Sequence, residues 1–192
     1  MQFEYVKSNK NQILEGVLLI KPKVFKDLRG EFFESWNFKE FNDVIKRKVN
    51  FVQDNFSRSS KGVLRGLHFQ RNPYPQGKLI RCTNGTIFDV AVDLRIKSKT
   101  FLQWFGIELD SFNNYQIWIP EGFAHGFLTL SNKADVTYKT NQFWMPDYEE
   151  SIRWNDPKIA INWPTKISSP ILSEKDKAAT SFDRVDLCRI FK

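Results

Sequence analysis

The chain has 192 residues, 41% hydrophobic and 27% charged, enough for one domain whose core needs no disulfide or metal staples. Its formal charge of +7 suits an acidic ligand, yet no basic block is longer than Lys46-Arg47-Lys48, so no nucleic-acid-binding face is expected. No apolar run approaches the roughly 18 residues of a membrane span, and Met1-Gln2-Phe3-Glu4-Tyr5 lacks a signal peptide's apolar core, so no membrane association and a cytoplasmic location are expected.

Aromatic residues make up 15%, a composition that favours strands and sheet cores. In chain order, 13–25 is a strand-like run broken at Pro22, and 31–35 follows the turn Asp27-Leu28-Arg29-Gly30. Asn37-Phe38-Lys39-Glu40 resembles a capping box, and Phe38, Phe41, Val44 and Ile45 recur at helical spacing. The runs 78–83 and 86–94 flank Asn84-Gly85, a turn pair that predicts a hairpin because both residues tolerate positive φ. Phe88, Val90, Val92 and Leu94 alternate with Asp89, Ala91 and Asp93, which predicts one buried face and one lined by smaller or polar groups. Further strands are expected at 101–109, 116–119, 126–130 and 136–140, and Ser173-Glu174-Lys175-Asp176 opens a short helix. Cys82 and Cys188 show neither metal nor redox spacing and are expected as buried free thiols.

Many short strands and few helices predict a mainly β, single-domain jelly roll of two packed antiparallel sheets over residues 1–192, with its core at about 14–180. Residues 181–192 carry no motif and are expected as a poorly ordered basic tail. Two sheets closed on each other leave a concave interior for a ligand.

Only two histidines occur, which narrows proton-transfer chemistry to two positions. His68 lies in Val63-Leu64-Arg65-Gly66-Leu67-His68-Phe69-Gln70, where Gly66 permits close backbone approach; the string by itself leaves a structural or a functional histidine open. Lys78 follows Pro73, Pro75 and Gly77, as a solvated turn residue would, or it returns to the cavity beside His68. Tyr138 has Thr137 and Lys139 on the opposite face of its strand, and Asp176 has the position of a helix-capping acid. His125 lies in Pro120-Glu121-Gly122-Phe123-Ala124-His125, which fits the Pro-x-Gly-x-x-His half of the cupin pattern. The other half needs a His-x-His pair, and here His68 stands alone before Phe69 and Gln70, so a cupin-type fold is expected without its metal.

These strings together resemble the dTDP-4-dehydrorhamnose 3,5-epimerase family. The resemblance runs through Asp27-x-Arg29-Gly30-x-Phe32-Phe33-Glu34, Phe51-Val52-Gln53-Asp54-Asn55-x-Ser57 and the His68 string. It continues through Gln76-Gly77-Lys78-Leu79-Ile80-Arg81-Cys82, the His125 string, Tyr138-Lys139-Thr140 and Trp154-Asn155-Asp156-Pro157. It implies a cofactor-free jelly roll, dimeric through exchanged N-terminal strands, acting on a nucleoside-diphosphate 4-keto-6-deoxy sugar. By position it makes His68 the base, Asp176 its orienting partner, Lys78 the enolate stabiliser and Tyr138 the opposing acid. Arg65 and His125 would line the sugar pocket. Arg29, Phe32 and Glu34 would reach the nucleotide from the partner subunit, joined by Gln53 and Asn55, with Lys175 near the diphosphate.

The chemistry agrees, because a C4 ketone acidifies the hydrogens on C3 and C5. An epimerase then needs a base on one face, a cation or donor at O4 and an acid on the other face. The family commonly shows a Tyr-Tyr pair where this chain has Phe143-Trp144, and the resemblance brings Phe143 close to the sugar. A single-carbon epimerase, a GDP- or CDP-sugar substrate and a catalytically inactive sugar-nucleotide-binding jelly roll stay open beside the double epimerase.

Overall fold

The computed structural model describes residues 1–164, 169–186 and 191. A six-stranded sheet runs in the order β1 (Gln2–Lys7), β2 (Ile13–Lys21), β10 (Gln116–Ile119), β7 (Lys78–Asn84), β12 (Lys133–Thr140) and β5 (Gln53–Ser60). A five-stranded sheet, ordered β13 (Glu149–Ser151), β6 (Leu64–Gln70), β11 (Phe123–Thr129), β8 (Thr86–Asp93) and β9 (Trp104–Asp110), packs against it. From β5 to β13 every step except β8–β9 passes from one sheet to the other, which is the winding of a jelly roll. The strands β3 (Phe25–Asp27) and β4 (Gly30–Phe32) form a separate two-stranded arm.

Three apolar clusters hold these layers. Ile80, Ile117 and Val136 of the larger sheet meet Ile87, Ala91 and Phe127 of the smaller one between the sheets. Helix α1 (Phe38–Ile45) covers the outer face of the larger sheet. Its start follows from Asn37, whose Oδ1 accepts from the Glu40 N–H at 3.1 Å, and it ends at Lys46 in the left-handed region. Phe41 is its buried anchor, edge-on to Trp118 at 5.3 Å, a burial worth about 1.5–3 kcal/mol.

The third cluster corrects two expectations. On β8 both faces are buried: Ile87, Asp89 and Ala91 point between the sheets, while Val90 and Val92, with Leu94 just past the strand, join an outer cluster. What covers that outer face is the C-terminal segment, where Phe182, Val185 and Phe191 are buried against it. Residues 181–186 are therefore a packed strap and not a loose tail, because an apolar outer sheet face needs a cover. Cys82 is a buried free thiol pushed up to about 11 by its burial, whereas Cys188 lies outside the described residues.

Asn84-Gly85 makes no hairpin either. It turns the chain from β7 in one sheet to β8 in the other. Gly85 has φ +76° and sits under the turn before β12, where a Cβ would collide with the Lys133 carbonyl and the Ser131 hydroxyl. The turn chemistry was that of a positive-φ corner, and a corner and a hairpin share it. At the N-terminus, β1 pairs antiparallel with β2 of its own chain.

Candidate active site

A cavity of about 390 Å³ opens between the sheets, near their edge strands β5 and β13. It is lined by His68, Arg65 and His125 from the five-stranded sheet and by Lys78, Tyr138, Gln53 and Asn55 from the six-stranded sheet. The inward positions of β5 are Gln53, Asn55, Ser57 and Ser59; a strand with polar groups on its inner face lines a cavity instead of building a core.

Arg65 and His68 are three residues apart on one strand, so simple alternation would set them on opposite faces. The register shows why both face the cavity: His68 pairs with His125 and Arg65 with Phe127, three steps on β6 against two on β11. The extra residue is accommodated at Gly66, whose φ is +126° and whose added Cβ would lie 2.5 Å from the Gly126 Cα. The two histidines are thus cross-strand neighbours on one wall.

Each histidine holds a buried carboxylate through Nε2. His68 Nε2 lies 2.5 Å from Asp176 Oδ1, and His125 Nε2 lies 2.8 Å from Asp89 Oδ2. Asp176 belongs to the short helix α2 (Glu174–Lys177), whose N-cap Ser173 accepts from the Asp176 N–H at 3.1 Å and donates to Asp176 Oδ2 at 2.8 Å. Burial works to raise the Asp176 carboxyl, but His68, Ser173 and the Gly66 amide outweigh it and hold the group below the usual carboxylate range. The capping acid and the histidine partner are one residue.

The opposite wall carries the other two groups. Lys78 is 7% exposed at the start of β7, and burial lowers its ammonium to about 8, with Glu149 pulling the other way. Tyr138, one strand away on β12, has its phenol raised by burial and by Glu149, against a smaller lowering by Arg65. Thr137 and Lys139 face outward, as the alternation predicts, with Lys139 paired to Asp54 at 2.9 Å.

The lip is built from side chains with fixed jobs. Gln53 donates to Asn55 Oδ1 at 2.8 Å and accepts from the Trp144 N–H at 2.9 Å, and Gln70 accepts from the Met145 N–H at 2.8 Å. Lys175 does not line the cavity itself; it pairs at 2.5 Å with Glu149, which does and which also accepts from the Trp144 indole at 3.0 Å. Phe143 and Trp144 are both more than half exposed at this lip; Trp144 lines the cavity, and the Phe143 carbonyl accepts from Gln70 at 3.2 Å. Arg29, Phe32 and Glu34 stand apart from this cavity: Arg29 pairs with Asp27 at 2.5 Å, Phe32 is exposed on the arm and Glu34 accepts from Asn37.

Sequence reasoning missed Asp89, Glu149 and Trp144 as parts of this site. Asp89 had a signal, an aspartate on the same strand face as Ile87 and Ala91; Glu149 sits among Asp147, Tyr148 and Glu150 with nothing to mark it. Among the described residues, no three or more His, Cys, Asp or Glu side chains converge as metal ligands would. No helix among them is long and apolar enough to cross a membrane.

Comparison with known proteins matches this geometry to a family. A family model described as dTDP-4-dehydrorhamnose 3,5-epimerase matches residues 11–184. A dTDP-4-dehydrorhamnose 3,5-epimerase of Shigella flexneri is 54% identical over 173 residues, covering 90% of this chain and 94% of that protein. A dTDP-4-dehydrorhamnose 3-epimerase of Streptomyces niveus is 37% identical over 166 residues, covering 86% and 79%. Among solved structures, the dTDP-6-deoxy-D-glucose-3,5-epimerase of Legionella pneumophila in complex with dTDP-4-keto-L-rhamnose superposes with a TM-score of 0.91 at 42% identity, covering 100% of this chain and 98% of that one.

Proposed function

The chain belongs to the dTDP-4-dehydrorhamnose 3,5-epimerase family, and from that premise we propose that it epimerises C3 and C5 of dTDP-4-keto-6-deoxy-D-glucose through an enolate at O4, giving dTDP-4-keto-L-rhamnose. The observation that carries the reading is the opposition of the two walls, with His68–Asp176 on one sheet and Lys78 and Tyr138 on the other. His68 removes the proton on its side, and the Asp176 carboxylate orients the ring and stabilises the imidazolium that forms. Lys78 donates to O4 as negative charge develops there, in a site where low solvent access strengthens the contact. Tyr138 returns a proton from the opposite face. A proton leaves and a proton returns, so the sugar keeps its oxidation level and no electron acceptor enters the balance.

Arg65 and His125 hold the sugar, and Gln53, Asn55 and Trp144 lie where the nucleotide would enter, with Lys175 and Glu149 at the same lip. The working unit in this reading is a homodimer, in which the β3–β4 arm carries Arg29 and Phe32 to the partner's cavity with Glu34 behind them. Support comes from an arm whose apolar residues find no cover in their own chain: Leu28 is fully exposed, and Phe25 and Phe32 are more than half exposed. The greater likeness to 3,5-epimerases than to the 3-epimerase favours reaction at both carbons.

Incubation with dTDP-4-keto-6-deoxyglucose in D2O tests the reading by NMR and mass. Deuterium is expected at both C3 and C5, and His68→Asn is expected to abolish label at both while dTDP still binds. Label at one carbon makes the protein a single-carbon epimerase, and retained exchange in His68→Asn removes His68 as the base.

A further inference from the structure

The second histidine–carboxylate pair has no task in the proton transfers above. Asp89 lies on β8 at 0% exposure and opposite Phe127, two register positions from the Ala91–His125 pair. Its Oδ2 is 2.8 Å from His125 Nε2, and its Oδ1 is a buried oxygen without a hydrogen-bond partner among the described residues. Among the described residues no lysine or arginine pairs with it, and its one polar contact is the imidazole. A buried carboxylate that accepts Nε2–H fixes the tautomer, and Nδ1 is then the ring atom left for the cavity. With its N–H given to Asp89, the ring offers the cavity a lone pair at Nδ1, beside the donors Arg65 and Lys78.

From this we infer that Asp89 is a positioning residue that makes His125 a hydrogen-bond acceptor for the C2 hydroxyl of the sugar. The inference rests on the 4-keto-6-deoxy sugar reading. In such a sugar C1 carries the diphosphate, C4 is the ketone and C6 has no hydroxyl. The C3 hydroxyl changes face as C3 inverts. Only the C2 hydroxyl keeps its place through both epimerisations, so a rigid acceptor beside the base can hold only that group throughout. Arg65 and Lys78 are donors and cannot supply the acceptor. A site built to receive a hydroxyl discriminates against a substrate that lacks it, because its own polar atom is then left unpaired.

The test compares wild type and Asp89→Asn on the parent sugar nucleotide and on its 2-deoxy analogue, reading kcat/KM for solvent deuterium incorporation. An amide nitrogen beside Nε2 favours the opposite tautomer without changing the shape of the site. Wild type is expected to lose about tenfold or more on removing the 2-hydroxyl, and Asp89→Asn a similar factor on the parent, with little further loss on the analogue. Equal losses on both substrates, or none, overturn the inference. The chain has only two histidines, so a 15N spectrum of histidine-labelled wild type, assigned with His68→Asn, reads the His125 ring without any substrate. A neutral Nε2–H ring supports the inference, and an Nδ1–H ring or an imidazolium overturns it even if Asp89→Asn does not fold. Absence of exchange by wild type on the parent would count against the epimerase reading and remove the sugar contact with it, while the tautomer is decided separately.

Discussion

At the scale of single residues, Lys78 couples chemistry to pH. Its ammonium is buried at the cavity wall and titrates at about 8, lowered first by burial and held from falling further by Glu149. The charged form, which stabilises the enolate, is present below that value and lost above it. We therefore expect kcat/KM to fall as pH rises through about 8, on a limb that reports the free enzyme. Lys78→Arg keeps its charge over that range and is expected to be slower but to lose the limb; a limb unchanged in Lys78→Arg would assign it to another group. That His68, Lys78 and Tyr138 meet at one cavity was legible because each sits in a string whose order is distinctive, whereas the string around Asp176 reads by itself as a helix cap and joined them only through the family resemblance. Asp89 was not, because alternation reports which residues share a face and not whether that face meets solvent or a second layer.

Between elements, the meeting of β6 and β11 decides the site. Gly66 and Gly126 allow the strands to approach, and the extra residue on β6 turns both Arg65 and His68 inward. Gly66→Ala places a methyl 2.5 Å from the Gly126 Cα and 2.9 Å from the His125 carbonyl, at a φ of +126° that side chains rarely adopt. A loss of about 1–3 kcal/mol is expected in denaturant unfolding. Exchange of solvent deuterium should fall further than stability alone explains, since Gly66 also donates its amide to Asp176. Unchanged stability would mean that the bulge relaxes freely. Strand positions were largely legible here, because apolar alternation and turn residues are local. The winding was not: Asn84-Gly85 states that the chain reverses, and whether it stays in one sheet depends on Ser131 and Lys133, far along the chain. The strap 181–186 was hidden likewise, since Phe182 and Val185 gain meaning only against the outer face of β8.

For the whole molecule, the β3–β4 arm poses the remaining problem. Its base is tied down: Asn114 Nδ2 donates to Glu31 at 3.0 Å, Arg81 lies 4.5 Å from the Phe33 ring, and Gln116 donates to the Ser35 carbonyl at 2.5 Å. Its far end presents Phe25, Leu28 and Phe32 outward, and a Cβ at Gly30 would meet nothing within 4 Å. An anchored arm with a bare apolar end is built to be covered, and exposed patches of this kind mark protein contacts. In the proposed dimer the cover is the second copy, and Arg29 and Phe32 complete its nucleotide site. Wild type is then expected to sediment at about twice the 22.7 kDa of one chain. Leu28→Asp with Phe32→Asp should shift it to the single-chain mass with its thermal melt nearly unchanged, because neither residue touches the core. Affinity for dTDP should drop in the same variant, and both losses should relax together if protein concentration restores the dimer. A variant that stays dimeric, or a monomer that binds dTDP as wild type does, would show that the arm serves neither the interface nor the nucleotide.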